Sequence, residues 1–502
     1  MNDADKARVL ADARAAIEAG AHMDARRECG WTFLHIVVNL KEACPELVNL
    51  FLESGADVNA GDEYERTALH FAVAREDACP EVVEILLKSG ADTNIHDAYG
   101  RTALHTAVAR EDACPEVVEM LLKSGADANI RDAYGRTALH TAVAREDACP
   151  EVVEMLLKSG ANVDARDEEG LTALLYASLF HLDGTSRYSP SELDFIWIPD
   201  PKPEVAMLLL KSGANIGARD AHGRTALHIV VERNRSRLNL LKFLLESGAD
   251  VKACDNWGST ALHAATCPQR VTGYPDYEVM EELLKWGVNI DACDAFGDTA
   301  LHNLMIHGAP WLVELLLKNG AKVNACDRVG STPLQIYITM GGVPRIVVVE
   351  LLLESGANAN VRFDCGMTLL HAAVERCEQP EMIDLLLKNG MSIDDRTDDG
   401  RTALHCATKK RTHHGALIIK RLLERGACID ARSEDGETAL HYIAKDIDNP
   451  VAAGIVDVLL KNGADAEARD NCGRTPLDVA VSSGAMSKVV KLLKSGVRNG
   501  NA

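Results

Sequence analysis

The sequence predicts an all-α repeat protein, on three observations. The string RTALHTAVAREDACPEVVEMLLKSGA occurs unchanged at 101–126 and at 136–161, with a near copy, RTALHFAVAREDACPEVVEILLKSGA, at 66–91. Looser copies place the threonine of the TALH box at Thr32, Thr67, Thr102, Thr137, Thr172, Thr225, Thr260, Thr299, Thr332, Thr368, Thr402, Thr438 and Thr475. These steps run from 33 to 39 residues apart from one of 53, and a fixed period of this size signals stacked repeats rather than separate globular cores. Finally, the 502 residues are 47% hydrophobic but only 4% aromatic, with 37 glycines, a composition suited to a thin core filled by Ala, Leu and Val.

Each unit can be taken in order. Thr102 suits an N-cap, its hydroxyl accepting a first-turn backbone N–H. Ala103, Leu104, Ala107 and Val108 fall at helical spacing and give a short amphipathic helix. The polar stretch from Arg110 to Cys114 breaks it. Pro115 suits the first turn of a second helix, where its missing N–H costs nothing, and Glu116 favours the positive helix end. Val117, Val118, Met120, Leu121 and Leu122 bury that helix, and Gly125 is a stop able to take positive φ. The segment from Ala126 to Gly135 is turn-rich and reads as an extended finger leading into Thr137. Comparable stop glycines recur through to Gly496, and residues 5–20 read as a lone second helix.

The TALH box, the VVEMLLKSGA helix and the GADAN finger resemble the ankyrin repeat over roughly residues 5–496. The resemblance implies helix–turn–helix units with β-hairpin fingers, stacked into an ankyrin-repeat α-solenoid that forms a single elongated curved array. The 35-residue period exceeds the family's usual 33, the surplus lying in the AREDACPE loop. On this reading 1–29 is an N-terminal capping half-repeat and 30–169 holds four regular repeats. Residues 170–222 form a fifth repeat with an inserted loop at 181–203, 223–496 hold repeats six to thirteen, and 497–502 are a tail with no room for a further domain.

The bulk numbers exclude several function classes. A formal net charge of −22 opposes binding to a phosphate backbone. Basic clusters such as Lys409, Lys410 and Arg411 are only three residues strong and read as solvated loops. No segment has the length to span a membrane, and no secretory signal opens the chain. A cytoplasmic protein is expected, with a nuclear location open. The 14 cysteines include no CxxC pair. Cys44, Cys79, Cys114 and Cys149 share one repeat position and Cys254, Cys293 and Cys326 another, too far apart for disulfides; free, partly buried thiols are expected.

Ten histidines occupy the TALH box: His35, His70, His105, His140, His228, His263, His302, His371, His405 and His441. Stacked helices about 8–10 Å apart cannot bring them to a shared metal, whose bonds are about 2 Å. The resemblance implies that each hydrogen-bonds within the loop capping its first helix. No GxSxG, HExxH, GxGxxG or GxxxxGK[ST] signature occurs, so no enzyme, catalytic residue, metal or cofactor is expected.

Binding is the remaining class. The residue before the finger glycine is Tyr99, Tyr134, Trp257 or Phe296, with Tyr64 and His222 in matching places, although Glu65 replaces the glycine after Tyr64. Evenly spaced exposed aromatics are typical interface anchors, while packing against the neighbouring finger is the competing reading. Further along, the column turns acidic or small, at Cys365, Asp399, Asp435 and Cys472. The inserted loop adds Tyr188, Phe195 and Trp197 among prolines, either docked back on the array or gripping a partner. In the family, finger asparagines such as Asn59, Asn94, Asn129, Asn324 and Asn360 can be hydroxylated; turn formation is the plainer reading. The expected function is a non-catalytic scaffold or adaptor that binds proteins along fingers from Tyr64 to Phe296. Partners with basic surfaces are favoured, with no nucleic acid and no membrane insertion, and the chain is expected to be a monomer. The alternative is an interaction module of a larger assembly, such as a ubiquitin-ligase substrate receptor or the cytoplasmic part of a channel.

Overall fold

A computed structural model describes residues 3–19, 22–40, 44–75, 79–110, 113–145, 148–179, 203–232, 238–266, 275–340, 344–412, 414–446 and 449–500. It divides into two compact units, Met1–Asn256 and Trp257–Ala502. Each is a stack of short helix pairs. In the first unit, helix Asp3–Glu18 precedes pairs such as Ala68–Ala74 with Pro80–Lys88, Ala103–Val108 with Pro115–Lys123, and Ala138–Val143 with Pro150–Lys158. In the second, Ala300–His307 pairs with Pro310–Lys318, Pro333–Thr339 with Ile346–Glu354, and Ala403–Ala407 with His414–Glu424. First helices pack on first helices and second on second, as the 35-residue period requires.

The local causes are those in the sequence. Leu104, Val118 and Leu121 are fully buried, and each such side chain contributes about 2 kcal/mol by leaving water. Pro115 occupies the first position of its helix. At the far end Gly125 takes φ 92. There the Ala126 N–H donates to Leu121 O at 3.1 Å and the Gly125 N–H to Leu122 O at 3.1 Å. This paired closure satisfies carbonyls the helix would otherwise strand. Gly496 departs from the expectation of a stop: helix Ser487–Gly500 runs through it. A Cβ there would lie 2.8 Å from Leu460 Cδ2, so this glycine serves close packing.

The histidines do more than cap. The Thr102 N–H donates to His105 Nδ1 at 3.2 Å, and the Thr102 hydroxyl lies 2.9 Å from the same nitrogen. His105 Nε2 reaches Arg136 O of the next repeat at 3.2 Å. Acceptor at Nδ1 and donor at Nε2 define a neutral imidazole. The arrangement recurs from His35 to Arg66 O at 2.9 Å and from His70 to Arg101 O at 3.0 Å. In the second unit His371 reaches Arg401 O at 3.1 Å and His405 reaches Glu437 O at 3.0 Å. Gln335 substitutes in its own box, with Oε1 accepting from Thr332 N–H at 2.9 Å. Burial lowers the pKa of His35, His70, His105, His140, His371 and His405, consistent with the neutral ring.

The AREDACPE loop also bridges repeats. Arg75 Nη1 donates to Val38 O at 3.0 Å and Arg110 Nη1 to Val73 O at 3.3 Å, while Arg145 reaches Ala109 O. Each guanidinium thus covers the carbonyl end of the preceding first helix, where a cation is favoured.

Candidate functional site: the finger edge

The fingers are turns closed by carboxylates rather than strand ladders. Among the described residues the β-pairing is confined to isolated bridges, His96 with Thr102 and Arg362 with Thr368. In one finger of the first unit, Asp97 Oδ1 accepts from the backbone N–H groups of Tyr99 and Arg101, both at 2.9 Å. Its Oδ2 accepts from Arg101 Nε at 3.0 Å and Nη2 at 2.8 Å. Burial alone would raise the Asp97 carboxyl; Arg101 and the backbone donors outweigh it and hold the group below the usual carboxylate range. The same balance holds Asp62 down. All four strong acceptor directions of the carboxylate are used, so no ladder is needed to fix the turn.

The aromatic residue follows from this clamp. The Arg101 guanidinium sits 5.0 Å from the Tyr99 ring centroid, Arg66 5.2 Å from Tyr64 and Arg136 4.9 Å from Tyr134. Each ring is supported on one side by a cation, yet Tyr64, Tyr99 and Tyr134 remain 48%, 50% and 41% exposed. Successive fingers are tied together: the Ala98 N–H donates to Tyr64 O and the Ala133 N–H to Tyr99 O, both at 2.8 Å. The structure therefore brings Tyr64, Tyr99 and Tyr134 onto three consecutive fingers. Local support and exposure, posed as alternatives by the sequence, coexist in the same side chains.

The remaining expected residues sort differently. Glu169 holds the finger after Tyr134, so His222 is not contiguous with the three tyrosines. His222 is exposed above an Asp220–Arg224 clamp, where Arg224 Nε meets Asp220 Oδ2 at 2.9 Å. Trp257 and Phe296 belong to the second unit and are both exposed, Phe296 at 66%. The finger of Phe296 carries Asp298 where Arg101 stands in its counterpart, and burial together with Asp294 and Asp327 raises the Asp298 carboxyl. Tyr188, Phe195 and Trp197 lie outside the described residues, as does most of the inserted loop. Glu65, in place of a glycine, takes φ 59, the left-handed conformation the turn demands.

The finger asparagines are committed to the array. Asn94 Oδ1 accepts from the Asp127 N–H at 2.8 Å and Nδ2 donates to Gly125 O at 3.1 Å. Asn59 and Asn129 repeat this bridge. The cysteines differ from expectation: Cys254, Cys293 and Cys326 are exposed, while Cys44 is buried, because finger and inter-helix positions face different surroundings. Among the described residues every cysteine is a free thiol, and no group of three or more His, Cys, Asp or Glu is placed to hold a metal. No described helix is long and apolar enough to cross a membrane.

A family model for ankyrin repeats matches eight overlapping windows that together cover residues 8–184 and 199–501. The chain belongs to the ankyrin-repeat family. Among solved structures it is similar to the ankyrin repeat domain of Bcl-3, a member of the IkappaB protein family. Identity there is 28% and the TM-score 0.37, over 48% of this chain and 93% of that one. No curated protein matches the chain as a relative. Ankyrin repeats are a general protein-interaction module, and this chain carries them over nearly its full length.

Sequence reasoning missed the Asp–Arg clamp beneath the tyrosines. Its signal was present in the DAYGR segment, where Asp and Arg flank the ring at the same two-residue spacing in each copy.

Proposed function

We propose that this ankyrin-repeat chain is a non-catalytic scaffold or adaptor that binds a partner protein along the finger edge of its first unit. The observation that carries the reading is the row of three tyrosines, each half-exposed and each held on a guanidinium fixed by a buried carboxylate. Rings already ordered before binding lose little side-chain freedom on contact, which is how aromatic anchors contribute most of an interface's affinity. The net charge of −22 favours partners with basic surfaces and salt-sensitive association. Trp257 and Phe296 give the second unit finger aromatics of its own. The free thiols support a reducing compartment, the cytoplasm or nucleus, with the chain acting as a monomer.

The test is a Tyr64→Ala/Tyr99→Ala/Tyr134→Ala variant used as bait in affinity purification with mass spectrometry. Because the Asp–Arg clamps remain, its thermal midpoint should match the parent while the parent's partners disappear. Recovery of the same partners at the same level would reject the finger edge as the binding surface.

A further inference from the structure

A second exposed surface lies in the second unit, at the edge where first helices turn into second helices. In five second helices of the first unit the second position is a carboxylate, Glu46, Glu81, Glu116, Glu151 and Glu204, and in helix Leu238–Glu246 it is Asn239. In the second unit that position becomes Trp311 in helix Pro310–Lys318 and Val347 in helix Ile346–Glu354. Both are exposed, and the first helices that lead into these turns add Ile306 and Met340; the four range from 44% to 76% exposed. Tyr277 opens the preceding second helix and is also exposed. These three second helices pack side by side.

The patch is built on a fixed support. The Tyr337 side chain, itself buried, lies under the turn at Gly308, where an added Cβ would come within 2.9 Å of its ring. Its hydroxyl accepts from the Arg345 N–H at 2.9 Å. One side chain thus ties the turn that carries Ile306 and Trp311 to the segment that leads into Val347. Apolar side chains gathered on a rigid edge mark an interaction surface.

The rim states what would cover it. One helical turn beyond each apolar residue stands a carboxylate: Glu281 after Tyr277, Glu314 after Trp311 and Glu350 after Val347. Lys285 and Lys318 are engaged with Glu281 and Glu314, at 3.1 and 2.6 Å. The corresponding place after Glu350 is not a lysine but Glu354, so the acidic character grows along the edge. We infer that this edge docks an amphipathic helix whose apolar face is flanked by lysine or arginine, with complementary charge at the rim. The site is separate from the finger edge and does not depend on it.

The probe is an 18-residue, fluorescein-labelled peptide of leucine and lysine with the leucines at helical spacing, titrated against the full chain by anisotropy. The decisive variant is Trp311→Glu/Val347→Glu, which installs the residue that the first unit already tolerates at this position. It adds two negative charges, so attraction by charge alone would tighten binding, whereas apolar docking predicts at least a tenfold weakening. Ile306→Ser/Met340→Ser removes apolar area without charge and should weaken binding at least threefold, an independent reading should the first variant fold poorly. Tyr64→Ala/Tyr99→Ala/Tyr134→Ala should leave peptide binding unchanged, which separates this site from the finger edge. Equal or tighter binding by the glutamate variant would overturn the proposal. So would a parental dimer in sedimentation velocity that both edge variants abolish, because the occupant would then be a second copy of the chain.

Discussion

The fingers of the two units solve the same problem with different residues. In the first unit, Asp62, Asp97, Asp132 and Asp220 each hold an arginine four residues on, at 2.7–2.9 Å. In the second, Asp294 faces Asp298, Asp327 is followed by Ser331, and Ser433 is followed by Glu437, which Lys445 and Arg474 neutralise from elsewhere. Only near the end does the Asp470–Arg474 pair restore the clamp, at 2.8 Å. The finger backbone survives these changes because the turn needs an acceptor, and Asp294 Oδ1 still takes the Phe296 and Asp298 N–H groups at 2.8 and 3.0 Å. In the Phe296 finger the arginine is replaced by Asp298. The arginine of the clamp is therefore dispensable for the turn, and in the Tyr64, Tyr99 and Tyr134 fingers it also seats the ring.

This contrast can be broken most sharply by removing the carboxylates. Asp97→Ala deletes a buried charge-paired acceptor and should cost about 3 kcal/mol. Asp294→Ala should cost only about 1 kcal/mol, since the lost backbone contacts are offset by relief of the repulsion with Asp298. Urea unfolding of both variants would measure the gap, and equal losses would show that the arginine adds nothing to the turn.

Acid tests the histidine boxes next. The six box histidines with lowered pKa are neutral when folded, and in the unfolded chain they return to the ordinary value of 6.5. Below that pH the unfolded state binds more protons, so their contribution is full above 6.5 and is lost as pH falls towards the depressed folded values. Hydrogen exchange at pH 7.5 and 5.0 should therefore show loss of protection at the boxes and seams these six rings hold. Asp62 and Asp97 act in a lower window, their contribution falling away only as pH drops below about 3.8. Unchanged protection around the six boxes at pH 5.0 would contradict this.

The smallest expected effect is a gain. Asp298→Arg places a guanidinium beside Asp294 and removes a carboxyl that burial and its neighbours already push up. A rise of about 1 kcal/mol in stability is expected, read as a higher thermal midpoint. No rise would mean that the second unit's finger cannot accept the first unit's clamp.

Much of this architecture was legible in advance. The TALH and VVEMLLKSGA strings mark the helices because capping, proline and stop-glycine chemistry act within a few residues, and Thr102, Pro115 and Gly125 behave as that chemistry requires. Contacts that cross from one repeat to the next were not legible. The reach of His105 to Arg136 depends on how the next unit stacks, and within the finger the sequence does not show that the Asp97 carboxylate is buried. How the hairpin fingers are closed was not legible either: a carboxylate that accepts several donors holds each turn beside a single backbone pairing such as the Asp97 N–H to Arg101 O. Gly496 shows the same limit: its residue type suits a stop or a close approach, and only the position of Leu460 decides between them.

The reach of those inter-repeat bonds has a consequence for how such a chain changes length. His70 and His105 each find their carbonyl 31 residues ahead, and so do Asn59, Asn94 and Asn129. Because 66–161 is written in near-identical 35-residue words, excising or duplicating one word hands every donor an acceptor of the same kind at the same separation. Elsewhere the same histidine bond is kept at separations from 29 residues at His302 to 35 at His263, so units of other lengths are accommodated within the repeat while the seam is preserved. Whole-word changes in this region are thus the ones that leave every seam bond as it was.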